Sequence, residues 1–457
     1  MPTNFDHIYY KEVISLLDFV NSRILGILLP TLLIGAGLYF IIYMKGQPLI
    51  RPRAVTAPFL RKENKSGGVS PRSALWLALG GVLGVGNIVG VSAAIFYGGA
   101  GAVFWMCISA ILASVLKYSE TLLALSRRKN GKASSSAEYI KEALTRCGFS
   151  RLGAFLSIAF ALLCLVNSLS MGCLIQVNAM VGVCRDILNI KPIITGIICA
   201  ALMIAVSSGG LKRISAATNK IVPFMSILFC LFSFAALILK ADRIPFALRE
   251  IINSAFEWRG VTGGIGGFFF SKSVRLGVMR GLISNEAGAG TSPMAHSASS
   301  SDSPAEQGFL GIIEVMIDTV FLCTLTALVI LVSYPEVEHF GDNSVMMTVG
   351  AYSAALGEWV EPVMCGLVLL FGLATVFCQC FYGKLCLSHL SNNKAAETIL
   401  TLLYGTAALL SSGTPPGDVW GLADLSIGIM TLINVSVLFL ERKRIRKETF
   451  AYFNKER

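Results

Sequence analysis

The sequence predicts an all-α fold, a polytopic membrane helical bundle of about eleven transmembrane helices. Three observations point there: scarce charge, repeated apolar runs of spanning length, and an uneven distribution of Lys and Arg between those runs. Of 457 residues, 54% are hydrophobic and only 14% are charged, against about 25% charged in an ordinary soluble domain. That charge density cannot cover a water-facing surface, so the excess apolar surface must meet lipid. Length alone would suggest roughly three soluble domains; one continuous bundle accounts for the chain better.

A span needs about twenty mostly apolar residues. Such runs occupy 14–43, 72–97, 99–127, 150–185, 192–208, 218–240, 276–300, 306–334, 360–390, 396–412 and 419–441. Residues 1–13 are polar and lead directly into the first full span, so no cleavable signal peptide is expected. The connections are basic or polar: Lys45 to Lys65, then 130–149, and finally the tail ERKRIRKETFAYFNKER.

The net charge of +11 raises the question of nucleic acid. The positive residues lie between apolar spans rather than on one amphipathic face, which instead fits the positive-inside rule. If 44–71 is cytoplasmic, strict alternation puts 128–149, 209–217, 391–395 and 442–457 on the same side, and each carries Lys or Arg. The opposite side holds 335–359, with Glu336, Glu338, Asp342 and Glu358, Glu361 at its edge, and no Lys or Arg. These observations predict an N-terminus outside, a cytoplasmic C-terminus and residence in the cell membrane. The segment 241–275, with Arg243, Arg249, Arg259, Lys272 and Arg275, is the exception; long segments obey the rule less strictly.

Two spans are interrupted. GGVLGVGNIVG places glycines at 80, 81, 84, 86 and 90 around Asn87, and SNEAGAGTSPMAHS (284–297) sets Gly288, Gly290 and Pro293 among polar groups. Glycine frees the backbone and proline removes a donor. Non-helical backbone at membrane depth is tolerated only where protein buries it or a cavity needs it. There, half-helix N-termini offer amides to a carboxylate and freed carbonyls hold a cation. Each break also has a plainer reading. The first suits close helix packing through Gly80/Gly84 and Gly86/Gly90, and the second suits a cytoplasmic turn with Glu286 in water. Taken together they favour a lined site. With the first span set aside, each break falls in the first helix of a five-helix set, and the two sets enter from opposite sides, as inverted repeats require. The predicted organisation is therefore 1–71 (N-terminal helix and basic linker), 72–240 (first repeat), 241–275 (extracytoplasmic linker), 276–441 (second repeat) and 442–457 (basic tail).

The runs GVGNIVGVSAAIFYGGAGAVFWM, KYSETLLA, GLKRISAATNKIVPFM, RGLISNEAGAGTSPMAHSAS and PAEQGFLGIIEVMIDTVFLCTLTALVIL resemble the alanine or glycine:cation symporter family over nearly the whole chain. The resemblance implies a LeuT-type core of five plus five inverted helices after one preceding helix. It also implies sodium-coupled uptake of a small neutral amino acid, with Na+ as coupling ion and no cofactor. Val85, Gly86 and Asn87 match the unwound first core helix, where amides would take the substrate carboxylate and the Asn87 oxygen would hold a cation or substrate. Carbonyls from Gly80 to Gly84, Gly80 and Leu83 among them, would supply a sodium site with Thr375. Gln176 matches a polar position of the third core helix, where an interhelical hydrogen bond is an equal alternative. Ser284 and Asn285 would contact substrate or ion, and Glu286 would direct binding, cap a helix or gate.

The chain departs from the family pattern at several of these places. Val85 stands for the threonine of GTGN, Ala374 for one of two threonines beside Thr375, Gln379 and Cys380 for a Trp-Ser pair, and Lys384 for a glutamate. Ala289 replaces a leucine, and Thr291 and Ser292 alter the following stretch. Gln379 would open volume and add donors and acceptors at the substrate site. A larger or more polar substrate such as glutamine, or proton coupling, is the alternative within the class; a transport-inactive amino-acid sensor is the alternative outside it.

The remaining polar residues read more plainly. Asp318, inside an apolar helix, is either a gating or coupling group or a structural partner for a neighbouring helix. Lys117, Glu120 and Arg127 read as the interfacial end of a helix, where long side chains reach for water. The twelve cysteines fall mostly in apolar runs with no zinc or disulfide spacing, and the four histidines show no metal spacing. No catalytic constellation appears at membrane depth, so no enzyme is expected. The expected partners are a small neutral amino acid, a sodium ion and the bilayer, with no nucleic acid and no obligate protein partner.

Overall fold

The computed structural model describes residues 17, 19–50, 68–128, 132–256, 272–341, 343–413 and 416–455. The calls that rest on Lys65, Arg259 and Asp342 lie outside these residues. Helix α1 runs Val20–Tyr43, α2 Pro71–Val82, α3 Val89–Gly98, α4 Gly101–Ser126, α5 Ser136–Arg146 and α6 Ser150–Leu188. They are followed by α7 Pro192–Ser207, α8 Gly210–Leu239, α9 Ile244–Ala255, α10 Lys272–Asn285, α11 Pro293–Ser297 and α12 Pro304–Val332. The last are α13 Ser344–Leu356, α14 Glu361–Leu390, α15 Lys394–Leu410 and α16 Pro416–Lys455.

Seven helical stretches are long and apolar enough to cross a membrane among the described residues, and α2 with α3, bent by 60°, makes an eighth. The chain is thus a multi-pass, all-helical membrane bundle. Side chains that a soluble protein would bury line its outside, for example Phe155, Ile197, Phe224, Ile227, Leu231 and Ile238, each about half exposed or more. Lipid can cover such a surface and water cannot.

The interior is built by close contacts between α10 and α4, α12 and α4, α14 and α6, and α16 and α6. Small residues permit this approach. A Cβ at Gly277 would lie 2.3 Å from the Ala102 carbonyl oxygen, so α10 and α4 touch backbone to backbone. Helix starts follow local rules: Pro71 follows Ser70, whose hydroxyl accepts from Ser73 N (3.2 Å), and Pro304 follows Ser303, which accepts from Glu306 N (3.3 Å).

Three segments differ from the sequence reading. The polar connection 130–149 contains the amphipathic α5, which buries Tyr139, Ile140, Ala143 and Leu144 and pairs with its surroundings through Arg127–Glu142 (3.0 Å) and Arg146–Glu441 (2.6 Å). The acidic segment 335–359 contains α13, thirteen residues with Met347, Thr348, Val349 and Tyr352 buried. That run is too short to read as a span, but small and apolar enough to pack against α3 and α8. The run read as 218–240 is part of a longer continuous helix, α8, with Pro223 inside it.

Candidate functional site

At the first break, α2 makes its last regular hydrogen bond from Leu83 N to Leu79 O (2.7 Å). Gly84 N then turns to Val82 O (2.8 Å), and Val85 N leaves the helix to donate to Gln176 Oε1 (2.9 Å). The Gln176 amide is oriented by its own donation to Met171 O (3.1 Å), inside a π-helical turn of α6 at Ser170–Leu174. Thr375 on α14 donates to the Gly80 carbonyl (3.1 Å). Gly84 is required here: a Cβ would sit 2.6 Å from Thr375 Oγ1 and 2.7 Å from Gln176 Oε1. The packing reading of the glycines therefore holds for Gly80 and Gly84. It fails for Gly90, with nothing within 4 Å of a Cβ, and for Gly86, where a Cβ would meet only the Ser284 Cα at 3.9 Å.

The second break begins at Glu286, whose φ of +51° places a non-glycine residue in the left-handed region. Its amide makes the last helical bond, to Leu282 O (2.8 Å), and Asn285 Oδ1 caps the turn by accepting from Ala287 N (2.9 Å). Gly288 and Gly290 continue with φ of +86° and +80° before α11 starts at Pro293.

Asp318 ties the breaks together. It lies on a π-helical turn, Met316–Cys323, within α12 and is fully buried. Asn87 Nδ2 donates to Asp318 Oδ1 (2.8 Å) and to its carbonyl (3.1 Å), while Ser284 Oγ donates to Oδ2 (2.8 Å). Thr319 Oγ1 also donates to Oδ2 (2.6 Å) and accepts from Asn285 Nδ2 (3.0 Å). Asn87, Ser284, Asn285 and Asp318 thus form one cluster. Within it Asn87 Oδ1 is buried and has no hydrogen-bond partner among the described residues. Buried acceptors are normally satisfied, so this oxygen is available for a ligand.

Gln379 and Glu286 meet at the second break. Gln379 Nε2 donates to Glu286 Oε1 (2.6 Å), and Thr291 Oγ1 donates to Glu286 Oε2. Glu286 is fully buried, so the reading of it as a water-facing turn residue is overturned. Gln379 Oε1 is a second buried acceptor without a partner.

The reading of Lys117 and Glu120 as an interfacial helix end is also overturned: both are fully buried. Glu120 reaches the second break, accepting from Gly290 N (3.1 Å), Gly288 N (3.4 Å) and Asn434 Nδ2 (2.6 Å). Lys117 Nζ lies 3.8 Å from Glu120 and 3.5 Å from Glu314 on α12. Glu314 also accepts from Ser292 Oγ (2.6 Å) and meets His296 Nε2 at 2.9 Å. On the other side of the ring, His296 Nδ1 meets Gln307 Nε2 at 2.8 Å. Arg127, by contrast, stands just past the end of α4, partly exposed and paired with Glu142 and Glu441. A signal for Lys117 was present: it lies nine residues before the end of α4 at Ser126, about 14 Å along the axis, too deep for its side chain to reach water.

Among the described residues, four buried carboxyl groups (Glu120, Glu286, Glu314 and Asp318) surround the second break, with the buried Lys117 side chain among them. Buried charge is tolerated when it is paired and hydrogen-bonded. These carboxyl oxygens are the groups in this part of the bundle that a cation could meet.

Comparison with known proteins agrees. The sequence profile described as the sodium:alanine symporter family matches residues 10–457. A protein of Haemophilus influenzae named an uncharacterized transporter is 34% identical, with 96% of each chain covered. The sodium/alanine symporter AgcS of Methanococcus maripaludis is 30% identical, with 96% of this chain and 97% of that protein covered. The probable sodium/glutamine symporter GlnT of Bacillus subtilis is 29% identical over 94% and 88%. A bundle with two helix breaks joined by a buried polar cluster, in a chain matched almost end to end, is a transporter rather than an enzyme, and it belongs to the sodium:alanine symporter family.

Proposed function

We propose that this protein carries a small neutral amino acid, alanine- or glycine-like, into the cell together with sodium by alternating access. The observation that carries the reading is the meeting of two helix breaks, some 200 residues apart in the chain, at the Asn87–Asp318 cluster with Asn87 Oδ1 unsatisfied. In this reading Val85, Gly86, Asn87, Gln176, Ser284 and Asn285 line the substrate site. Gly80, Leu83, Asn87 and Thr375 supply oxygens to sodium. Asp318 and Glu286 couple the two, because each is a buried carboxyl group that touches a broken helix. The buried carboxyl groups support cation coupling, and so do the names of the symporter relatives.

The proposed frame is one N-terminal helix followed by two inverted five-helix repeats, 72–240 and 276–441, in the cell membrane with a cytoplasmic C-terminus. A second reading within the class is a more polar substrate, such as glutamine. It draws support from Gln379, whose Oε1 is buried without a partner where a tryptophan is usual in the family.

The test is uptake of labelled alanine, glycine and glutamine into proteoliposomes with and without an inward sodium gradient. Sodium-stimulated uptake abolished by Asn87→Ala is the expected result. Absence of any sodium- or proton-dependent uptake would sink the proposal, and preference for glutamine over alanine would select the second reading.

A further inference from the structure

A cavity of about 950 Å³ lies beside the breaks. Its lining includes Val89, two residues beyond Asn87, and Ile175, next to Gln176, so it adjoins the polar cluster. The charged side chains that line it are Arg185, Asp186, Arg275, Arg280 and Asp424. Arg185 pairs with Asp186 at 2.7 Å, and Arg275 donates to Ser22 O at 2.5 Å.

Arg280 and Asp424 are arranged differently. Arg280 Nη1 and Asp424 Oδ1 stand 3.7 Å apart, beyond hydrogen-bond distance, and neither atom has a hydrogen-bond partner among the described residues. The Arg280 guanidinium lies over the Trp420 ring, 4.5 Å from its centroid. Trp420 and Asp424 are four residues apart on α16 and share a face, which sets cation, anion and indole together at the cavity wall. Arg280 and Ser284 are likewise four apart on α10, so this group stands one helical turn, about 6 Å, from the break.

We propose that Arg280 and Asp424 form an outer docking site for a zwitterionic α-amino acid, occupied before the deeper site at Asn87. The site deepens the transport reading above and rests on it for its place in the cycle. The ligand's carboxylate takes Arg280 and its ammonium takes Asp424, so the two loosely paired side chains each gain a hydrogen-bonded counter-charge as their own ion pair opens. Charge-assisted bonds of this kind are stronger than a contact at 3.7 Å. Both charges must be present on one ligand, because a lone anion would leave Asp424 uncompensated and a lone cation would leave Arg280 so. The Trp420 ring, already stacked on Arg280, reports the rearrangement.

The full chain labelled with 5-fluorotryptophan provides the test, with the Trp420 fluorine resonance assigned by its loss in Trp420→Phe. Glycine, alanine and glutamine are titrated in turn, and acetate and methylammonium separately at the same concentrations. The expected result is a saturable Trp420 shift with at least one amino acid and none with the single ions. That shift persists in Asn87→Ala and needs at least tenfold more ligand in Arg280→Gln, with partial recovery in Arg280→Lys. No saturable shift, an equal response to acetate or methylammonium, or loss of the shift in Asn87→Ala would each overturn the proposal. If Arg280→Gln does not fold, the comparison of zwitterions with single ions in the unsubstituted protein decides. Uptake measured on the same preparations separates the two claims: sodium-stimulated uptake without an Asn87-independent shift removes the docking site alone, and the shift without uptake removes the transport reading alone.

Discussion

The Asn87 side-chain amide donates to the Asp318 carboxylate at 2.8 Å and so joins the first broken helix to α12, while Ser284 of the second broken helix donates to the other oxygen of the same carboxylate. One buried side chain thereby senses both breaks. Displacement of either break changes the hydrogen bonding of Asp318, and a cation bound beside it would strengthen the arrangement. In the proposed function this would be the physical route from ion occupancy to the geometry of both half-helices.

Asp318→Asn tests that route. The carboxylate serves donors from Asn87, Ser284 and Thr319, and an amide would turn one of its two acceptors into a donor facing a donor. We expect a loss of stability of about 1–3 kcal/mol from the unsatisfied group. We also expect at least a tenfold rise in the sodium concentration for half-maximal uptake. Uptake with unchanged sodium dependence would restrict Asp318 to a structural role.

Gly84 and Gly90 form a matched pair. Gly84→Ala forces a methyl to 2.6 Å from Thr375 Oγ1 and 2.7 Å from Gln176 Oε1, and overpacking of this kind costs about 1–3 kcal/mol. It also breaks the Val85–Gln176 hydrogen bond, so uptake should fall with stability. Gly90→Ala enters open space and lies within α3, so its melting temperature should stay within a few degrees of the unsubstituted protein. Equal losses in both variants would mean that the first break tolerates no added volume anywhere.

The breaks were legible in the sequence because their signals are local: glycines, a proline and polar side chains inside apolar runs. Asn87, Ser284 and Asn285 could be placed by that logic, and they do converge. What joins them was not local. Asp318 also reads as a structural partner for a neighbouring helix, since only its three-dimensional neighbours show that it faces both breaks. Lys117 and Glu120 read as the interfacial end of the 99–127 span because long charged side chains can reach for water; their burial against Glu314 and the second break depends on neighbours distant in sequence. The partner of Gln379 was not legible either: its Nε2 bonds Glu286 of the second break, a contact that no local pattern announces. Residue 344–356 packing was hidden for a different reason, since a thirteen-residue buried helix has neither the length of a span nor the polarity of a loop.

Glu120 holds the second break by its loop amides. Glu120→Ala strips Gly288 N, Gly290 N and Asn434 of their acceptor and leaves Lys117 with Glu314 as its remaining ion-pair partner. Breaking a buried pair from one side costs about 3–5 kcal/mol. Glu120→Gln keeps an acceptor oxygen for the loop and should cost less, about 1–3 kcal/mol. Denaturant unfolding of the purified variants measures both. Equal losses would assign the whole effect to the charge and none to the clasp on the loop.

Outside the spans, Glu336 links the end of α12 to the connection before α9. Burial pushes its carboxyl up, but hydrogen bonds from Arg243 (2.7 and 3.0 Å) and Lys240 (3.3 Å) outweigh this and hold it below the ordinary glutamate value. A carboxylate lowered on folding contributes stability above its unfolded-state value, and that contribution disappears as pH falls through the lowered folded value. Glu336→Gln should therefore lower the melting temperature at neutral pH, and the gap from the unsubstituted protein should close as the pH is taken below the glutamate range. The effect will be small, because a side chain one-third exposed is screened by solvent. Melting curves from pH 7 downward decide the point: a gap that widens in acid would mean that the pair with Arg243 does not hold Glu336 in its charged form.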